Sequence, residues 1–174
     1  MAGFGLWCLQ LIDTLTEHGD LADELLYRHW TFYKDGQRDH ILVMDLKSKE
    51  VIDVTPGDFD SPAFSLGGAG FAFSPDGKEI CFVSNREPAN AQSWTTNKDL
   101  WVVSSGGGEA RNLTAGNKAY DGHPIYSPDG KYIAYLRQGR PGYEADMFDL
   151  ALHERETGKV RILTQGFDNW ALDL

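Results

Sequence analysis

Five histidines, His18, His29, His40, His123 and His153, are the side chains that could bind a metal or carry a proton near neutral pH. None is spaced four residues from another on a helical pattern with a carboxylate beside it, the arrangement that puts two imidazoles on one metal ion. His123 precedes Pro124 at the start of a strand-like run and His153 ends one, so structural or surface roles are expected. Ser104 and Ser105 abut Gly106-Gly107-Gly108. A glycine-rich phosphate cradle would open a helix, whereas this run joins two strand-like segments. No Gly-x-Ser-x-Gly elbow occurs, so no strained turn raises a nucleophilic serine toward oxyanion donors. The residues therefore give no catalytic group, no metal site and no cofactor site. The stretch Arg140-Pro141-Gly142-Tyr143-Glu144 remains. It puts a cation, an aromatic ring and a carboxylate in one loop, a set able to make charge-assisted hydrogen bonds to a ligand. The other reading is an ordinary ion pair between Arg140 and Glu144. Asn112-Leu113-Thr114 fits the pattern of a glycosylation acceptor, or else simply ends a strand.

The elements that would hold this loop come from a repeat. Phe73-Ser74-Pro75-Asp76-Gly77-Lys78-Glu79-Ile80 recurs as Tyr126-Ser127-Pro128-Asp129-Gly130-Lys131-Tyr132-Ile133, an offset of 53 residues. Proline presets φ at the first central turn position, aspartate suits the second, and glycine accepts the positive φ that follows. An aromatic residue before the turn and an apolar run after it complete a β-hairpin pattern. A second element recurs at Val54-Thr55-Pro56-Gly57, Leu113-Thr114-Ala115-Gly116 and Leu163-Thr164-Gln165-Gly166. Two further strand-like runs lie between the signals in each unit. They are residues 99–103 and 109–113 in the first, and residues 147–152 and 159–163 in the second. The Arg140–Glu144 loop thus joins two strands of one unit.

Four antiparallel strands in a repeat of this length predict a propeller blade. Ile80-Cys81-Phe82-Val83 and Ile133-Ala134-Tyr135-Leu136 are apolar at every position, as expected of strands buried on both faces between neighbouring blades. A sandwich would show cleaner alternation. The expected class is all-β, a partial β-propeller with about two complete blades. Residues 61–116 and 117–166 form the complete blades, residues 24–60 a partial blade and residues 167–174 the start of another. Within the partial blade, residues 28–33 are read as one inner strand, and residues 40–46 and 50–54 as the outer pair. Residues 1–23 fall outside the repeat, and Leu6, Leu9, Ile12 and Leu15 recur at helical spacing, so a short amphipathic helix is expected there. Trp30, Trp94, Trp101 and Trp170 are expected to fill space between blades, and Arg28 to stack on Trp30.

The formal net charge of −10, from 26 acidic and 16 basic residues, argues against nucleic acid as a partner. Cys8 and Cys81 have no metal-ligand spacing, and Cys81 reads as a small core residue. No apolar stretch approaches the ~20 residues a membrane helix needs. The first nine residues are apolar without a positive leader, a poor fit to a signal peptide. The compartment is left open.

The units resemble the repeats shared by TolB-like propellers and by the propeller domains of the prolyl oligopeptidase family of serine peptidases. Several longer segments are similar to its dipeptidyl-peptidase and acylaminoacyl-peptidase members. These are Tyr27-Arg28-His29-Trp30 with Asp35-Gly36 and His40; Val54-Thr55-Pro56-Gly57-Asp58-Phe59-Asp60; Thr96-Asn97-Lys98-Asp99-Leu100-Trp101; and Arg140-Pro141-Gly142-Tyr143-Glu144-Ala145-Asp146. The resemblance covers roughly residues 24–170. It implies a substrate-gating propeller that admits short peptides to a separate α/β-hydrolase domain carrying the Ser-His-Asp machinery, a partner this chain lacks. It also implies that propeller loops can meet the peptide ends, Glu144 the amine and Arg140 the carboxylate, beside Tyr143. Two other readings are a non-catalytic TolB-like propeller that binds proteins, and a fragment without retained function that self-associates through exposed blade edges.

Overall fold

Both Ser-Pro-Asp-Gly turns close in the same way. The Ser74 hydroxyl donates to Asp76 (2.7 Å) and accepts the Glu79 N–H (3.0 Å), while Gly77 takes φ 69° and donates to the Ser74 carbonyl (2.9 Å). Ser127, Asp129, Tyr132 and Gly130 repeat this at 2.7, 3.0 and 2.8 Å, again with φ 69° at the glycine. A side chain with a Cβ would be strained at either glycine. The computed structural model describes residues 36–63 and 70–171, with the backbone alone at residues 28–29 and 32–33.

Strands β5 (Phe71–Phe73), β6 (Glu79–Ser84), β7 (Asp99–Ser104) and β8 (Arg111–Asn112) form one antiparallel sheet in sequential order. Strands β9 (Asp121–Tyr126), β10 (Tyr132–Arg137), β11 (Asp149–Glu154) and β12 (Val160–Ile162) form a second. Strands β3 (Leu42–Met44) and β4 (Val51–Asp53) form a two-stranded sheet among the described residues. The chain is therefore all-β with four-stranded up-and-down sheets, a partial β-propeller as the repeat implies.

The recurring threonine explains the second repeated element. The Thr114 hydroxyl accepts the Leu100 N–H (3.0 Å) and donates to Asp99 (3.2 Å), tying the end of the outer strand back to the start of β7. Thr164 does the same to Leu150 (3.0 Å) and Asp149 (2.8 Å). Thr55 accepts the Ile41 N–H (2.8 Å). There His40 stands where the other units have aspartate, and its ring nitrogens meet Asp53 (2.7 Å) and the Gly57 carbonyl (3.0 Å).

Strand β6 is buried on both faces. Cys81 and Val83 join Leu100, Val102, Tyr126, Ile133, Tyr135 and Ala151 in a core between the two four-stranded sheets. Ile80 and Phe82 turn the other way, onto Ile41, Val54 and Val103 beside the β3–β4 pair. Phe82 is fully buried, and truncating such a ring costs about 3–5 kcal/mol. At one end of the core Glu79 bridges the sheets. It accepts from Tyr126 Oη (2.7 Å) and pairs with Arg155 (2.7 Å), which also donates to the Gly130 carbonyl (2.6 Å).

Three expectations need correction. Residues 28–33 are not one strand: β1 (Arg28–His29) pairs antiparallel with β2 (Phe32–Tyr33). This pair lies in a separate unit, residues 1–36. Trp94 fills no space between blades. It follows the short helix α1 (Ala89–Gln92) in the β6–β7 connection and is 83% exposed. Strand β11 begins at Asp149 rather than Met147, because the preceding residues are held in the β10–β11 loop. Trp101 does pack in the core beside β3–β4, whereas Trp170 meets Phe148 edge-on at 5.6 Å. The helix expected before residue 24 and the Arg28–Trp30 stack lie outside the described residues.

Candidate functional site

The β10–β11 loop is built around two anchors. Gln138, almost fully buried after β10, donates from Nε2 to the carbonyls of Glu144 (3.0 Å) and Asp146 (2.8 Å). The Asp146 carboxylate accepts the N–H groups of Gly139 (3.0 Å) and Arg140 (2.8 Å) through Oδ2 and meets Arg140 Nε through Oδ1 (3.1 Å). Burial works against the Asp146 charge, but the two backbone donors and the arginine outweigh it and hold the carboxyl below its ordinary range. A further bond, Gly142 N–H to Thr96 Oγ1 (3.0 Å), ties the loop to the β6–β7 connection of the neighbouring sheet.

This scaffold brings two of the three expected residues together. Arg140, with its side chain 72% exposed, lies over the Tyr143 ring at 5.6 Å, and Tyr143 is itself exposed. Glu144 does not pair with Arg140; Asp146 takes that place. Glu144 is exposed and acts instead on Lys98. Burial pushes the Lys98 amine down to about 8, with Glu144 pulling against that fall. The Lys98 nitrogen lies 5.6 Å from the Tyr120 ring centre, which adds a cation–π attraction. The surface thus offers an arginine–tyrosine stack and a carboxylate near a partly buried lysine.

The sequence alone assigns no site role to Asp146, Gln138 or Lys98. Asp146 acts mainly through backbone N–H groups, which residue type does not reveal. Lys98 comes from a segment remote in the chain.

The other candidates among the described residues take structural roles, while His18 and the His29 side chain lie outside the described residues. His153 lies in β11, nearly fully buried, where burial and Arg111 hold its proton affinity down. His123 sits inside β9 with φ 55°. Ser104 ends β7, and its hydroxyl accepts the Gly106 N–H (3.1 Å) in a hairpin turn. Asn112 Nδ2, the atom a glycan would take, donates to Asp99 (2.9 Å). Among the described residues no three His, Cys, Asp or Glu side chains are grouped to hold a metal. No helix among them is long and apolar enough to cross a membrane.

No family model matches the chain. Curated relatives do. Dipeptidyl-peptidase 5 of Porphyromonas gingivalis is 30% identical over 167 residues, 89% of this chain and 24% of that protein. Dipeptidyl-peptidase 5 of Porphyromonas endodontalis is 34% identical over 139 residues, 77% of this chain and 20% of that protein. The enzyme of the same name from Arthroderma otae is 28% identical over 171 residues. The chain spans about a quarter of the length of these relatives. Among solved structures, TolB from Acinetobacter baumannii aligns with a TM-score of 0.48 at 24% identity, over 71% of this chain and 26% of that one.

Proposed function

We propose, for a chain that belongs to the dipeptidyl-peptidase branch of the prolyl oligopeptidase family, that it is a segment of a substrate-gating propeller. The observation that carries this reading is the similarity to dipeptidyl-peptidase 5 proteins over most of the chain, at about a quarter of their length. Proteolysis of short peptides then belongs to a hydrolase domain outside the segment, consistent with the lack of a Gly-x-Ser-x-Gly elbow here.

In this reading the β10–β11 loop meets the substrate. Asp146 engages Arg140 through Nε and so orients the guanidinium while its side chain stays 72% exposed. That leaves it suited to a peptide carboxylate, with Tyr143 as an apolar wall. Glu144 suits a peptide amine. In an isolated segment, Leu42, Met44 and Val51, exposed on β3 and β4, would support self-association.

Two tests apply. The gene is expected to continue past Leu174 into a segment with a Gly-x-Ser-x-Gly elbow; a gene without one sinks the peptidase reading. In the peptidase carrying this segment, Glu144→Gln is expected to raise KM for unblocked dipeptidyl substrates several-fold with little change in kcat. An unchanged KM removes the loop from substrate contact.

A further inference from the structure

Arg86 follows β6 and carries its charge into an aromatic cage. Its guanidinium carbon lies 4.3 Å from the Trp101 ring centre and 5.6 Å from those of Phe59 and Phe82. The cage is held rigidly. Trp101 Nε1–H donates to the Ser84 carbonyl (3.3 Å), and Ser84 Oγ donates to the Asp60 carbonyl (2.9 Å), which fixes the Phe59 segment against β6. The Arg86 Nε is buried without a hydrogen-bond acceptor, and burial lowers the proton affinity of the guanidinium.

No carboxylate among the described residues pairs with it. The neighbouring Glu87 accepts from Asn97 Nδ2 (3.3 Å), and Asp58, beside Phe59, pairs with Arg38 (2.9 Å). Asp146 meets the Arg140 charge, and Glu79 meets that of Arg155. Arg86 instead keeps a planar fork of donors clamped on ring faces. Cation–π contacts hold such a group in place but satisfy none of its N–H donors. A guanidinium held this way matches a carboxylate in a bidentate arrangement, because the rotamer freedom is already lost before the ligand arrives.

We infer that Arg86, in the cage of Phe59, Phe82 and Trp101, is a binding position for the carboxylate of a peptide. It is built from residues outside the β10–β11 loop and does not depend on the role given to Arg140. The carboxylate could come from a chain terminus or from an acidic side chain, and the probes distinguish the two.

The test follows the indole N–H resonances of the isotope-labelled chain, with that of Trp101 assigned through Trp101→Phe. Acetyl-Gly-Gly carries a terminal carboxylate, acetyl-glutamyl amide a side-chain carboxylate, and acetyl-Gly-Gly amide none. The Trp101 resonance is expected to move saturably with at least one acid and not with the neutral amide. Arg86→Gln is expected to weaken that response at least tenfold, while Arg161→Gln, which removes an exposed charge on β12, leaves it within twofold. Arg86→Lys keeps the charge but loses the fork, and a several-fold loss is expected there. It also covers the case in which Arg86→Gln does not fold. The inference is overturned by a response to the amide equal to that of the acids, by no saturable response to either acid, or by wild-type affinity in Arg86→Lys.

Discussion

Replacing Asp121 with asparagine should invert the order of stability between mutant and parent as pH rises. Asp121 opens β9 and is completely buried. Asn117 Nδ2 donates to Oδ1 (3.0 Å), and Oδ2 is buried with no hydrogen-bond partner. Burial is the dominant cause that lifts the carboxyl from 3.8 to about 7, against the pull of Asn117, Thr114 and Arg137. The folded state therefore holds a proton that the unfolded state releases. Stability linked to this group is full below pH 3.8 and is lost as pH rises through about 7. The gap corresponds to about 4 kcal/mol as an upper bound. Asparagine removes that dependence, but its amide nitrogen would stand where Oδ2 lacks a partner, costing roughly 1–3 kcal/mol. The mutant should then be less stable than the parent near pH ~4.5 and more stable near pH ~8.5, by about 1–3 kcal/mol at the upper end. Urea unfolding followed by circular dichroism across that range measures both curves. Parallel curves with a constant offset would refute the argument, because they would show that Asp121 ionises alike in the folded and unfolded chain.

Thr114→Val should cost about 1–3 kcal/mol in the same assay, since it strips the partner from the buried Leu100 N–H and from Asp99. Thr164→Val should cost less, because its staple is only partly buried; an equal loss would mean the staple is not what the mutation reads. A double-mutant cycle on Glu79→Gln and Arg155→Met should give a coupling of about 1 kcal/mol, modest because both partners are partly exposed. Additivity within ~0.3 kcal/mol would show that the sheets do not depend on this bridge.

Much of the fold was legible because local hydrogen bonds write themselves into residue types. Ser74, Asp76 and Gly77 each do a separate job within five residues, and Ser127, Asp129 and Gly130 repeat it. Burial of β6 on both faces could be read from four consecutive apolar residues. The candidate site was legible in part. Arg140, Tyr143 and Glu144 stand on an exposed loop as their composition suggests, but the partner of Arg140 is Asp146, selected by backbone geometry. The Arg86 cage draws on Phe59, Phe82 and Trp101, residues far apart in the chain, so no local pattern announces it. Trp94 misleads for the opposite reason: ring size favours burial on average but does not decide it at one position.

The two ends of the sheets are built on different terms, and this bears on where function sits. At the turn end the hydroxyl and carboxylate of each Ser-Pro-Asp-Gly motif satisfy their own hairpin, leaving little to offer a ligand. Up-and-down topology sends the β6–β7, β8–β9 and β10–β11 connections to the other end, where the Thr96–Gly142 bond and the Asp121 N–H to Lys98 carbonyl bond (2.8 Å) join them. That end carries Lys98, pushed down by burial, Asp121, pushed up by burial, and Arg86, caged without a carboxylate. Strand packing needs none of these charges. Lys98 and Arg86 stand on the β6–β7 connection and Asp121 at the first residue of β9, where loops can change their polar groups without disturbing the apolar faces that hold the blades together.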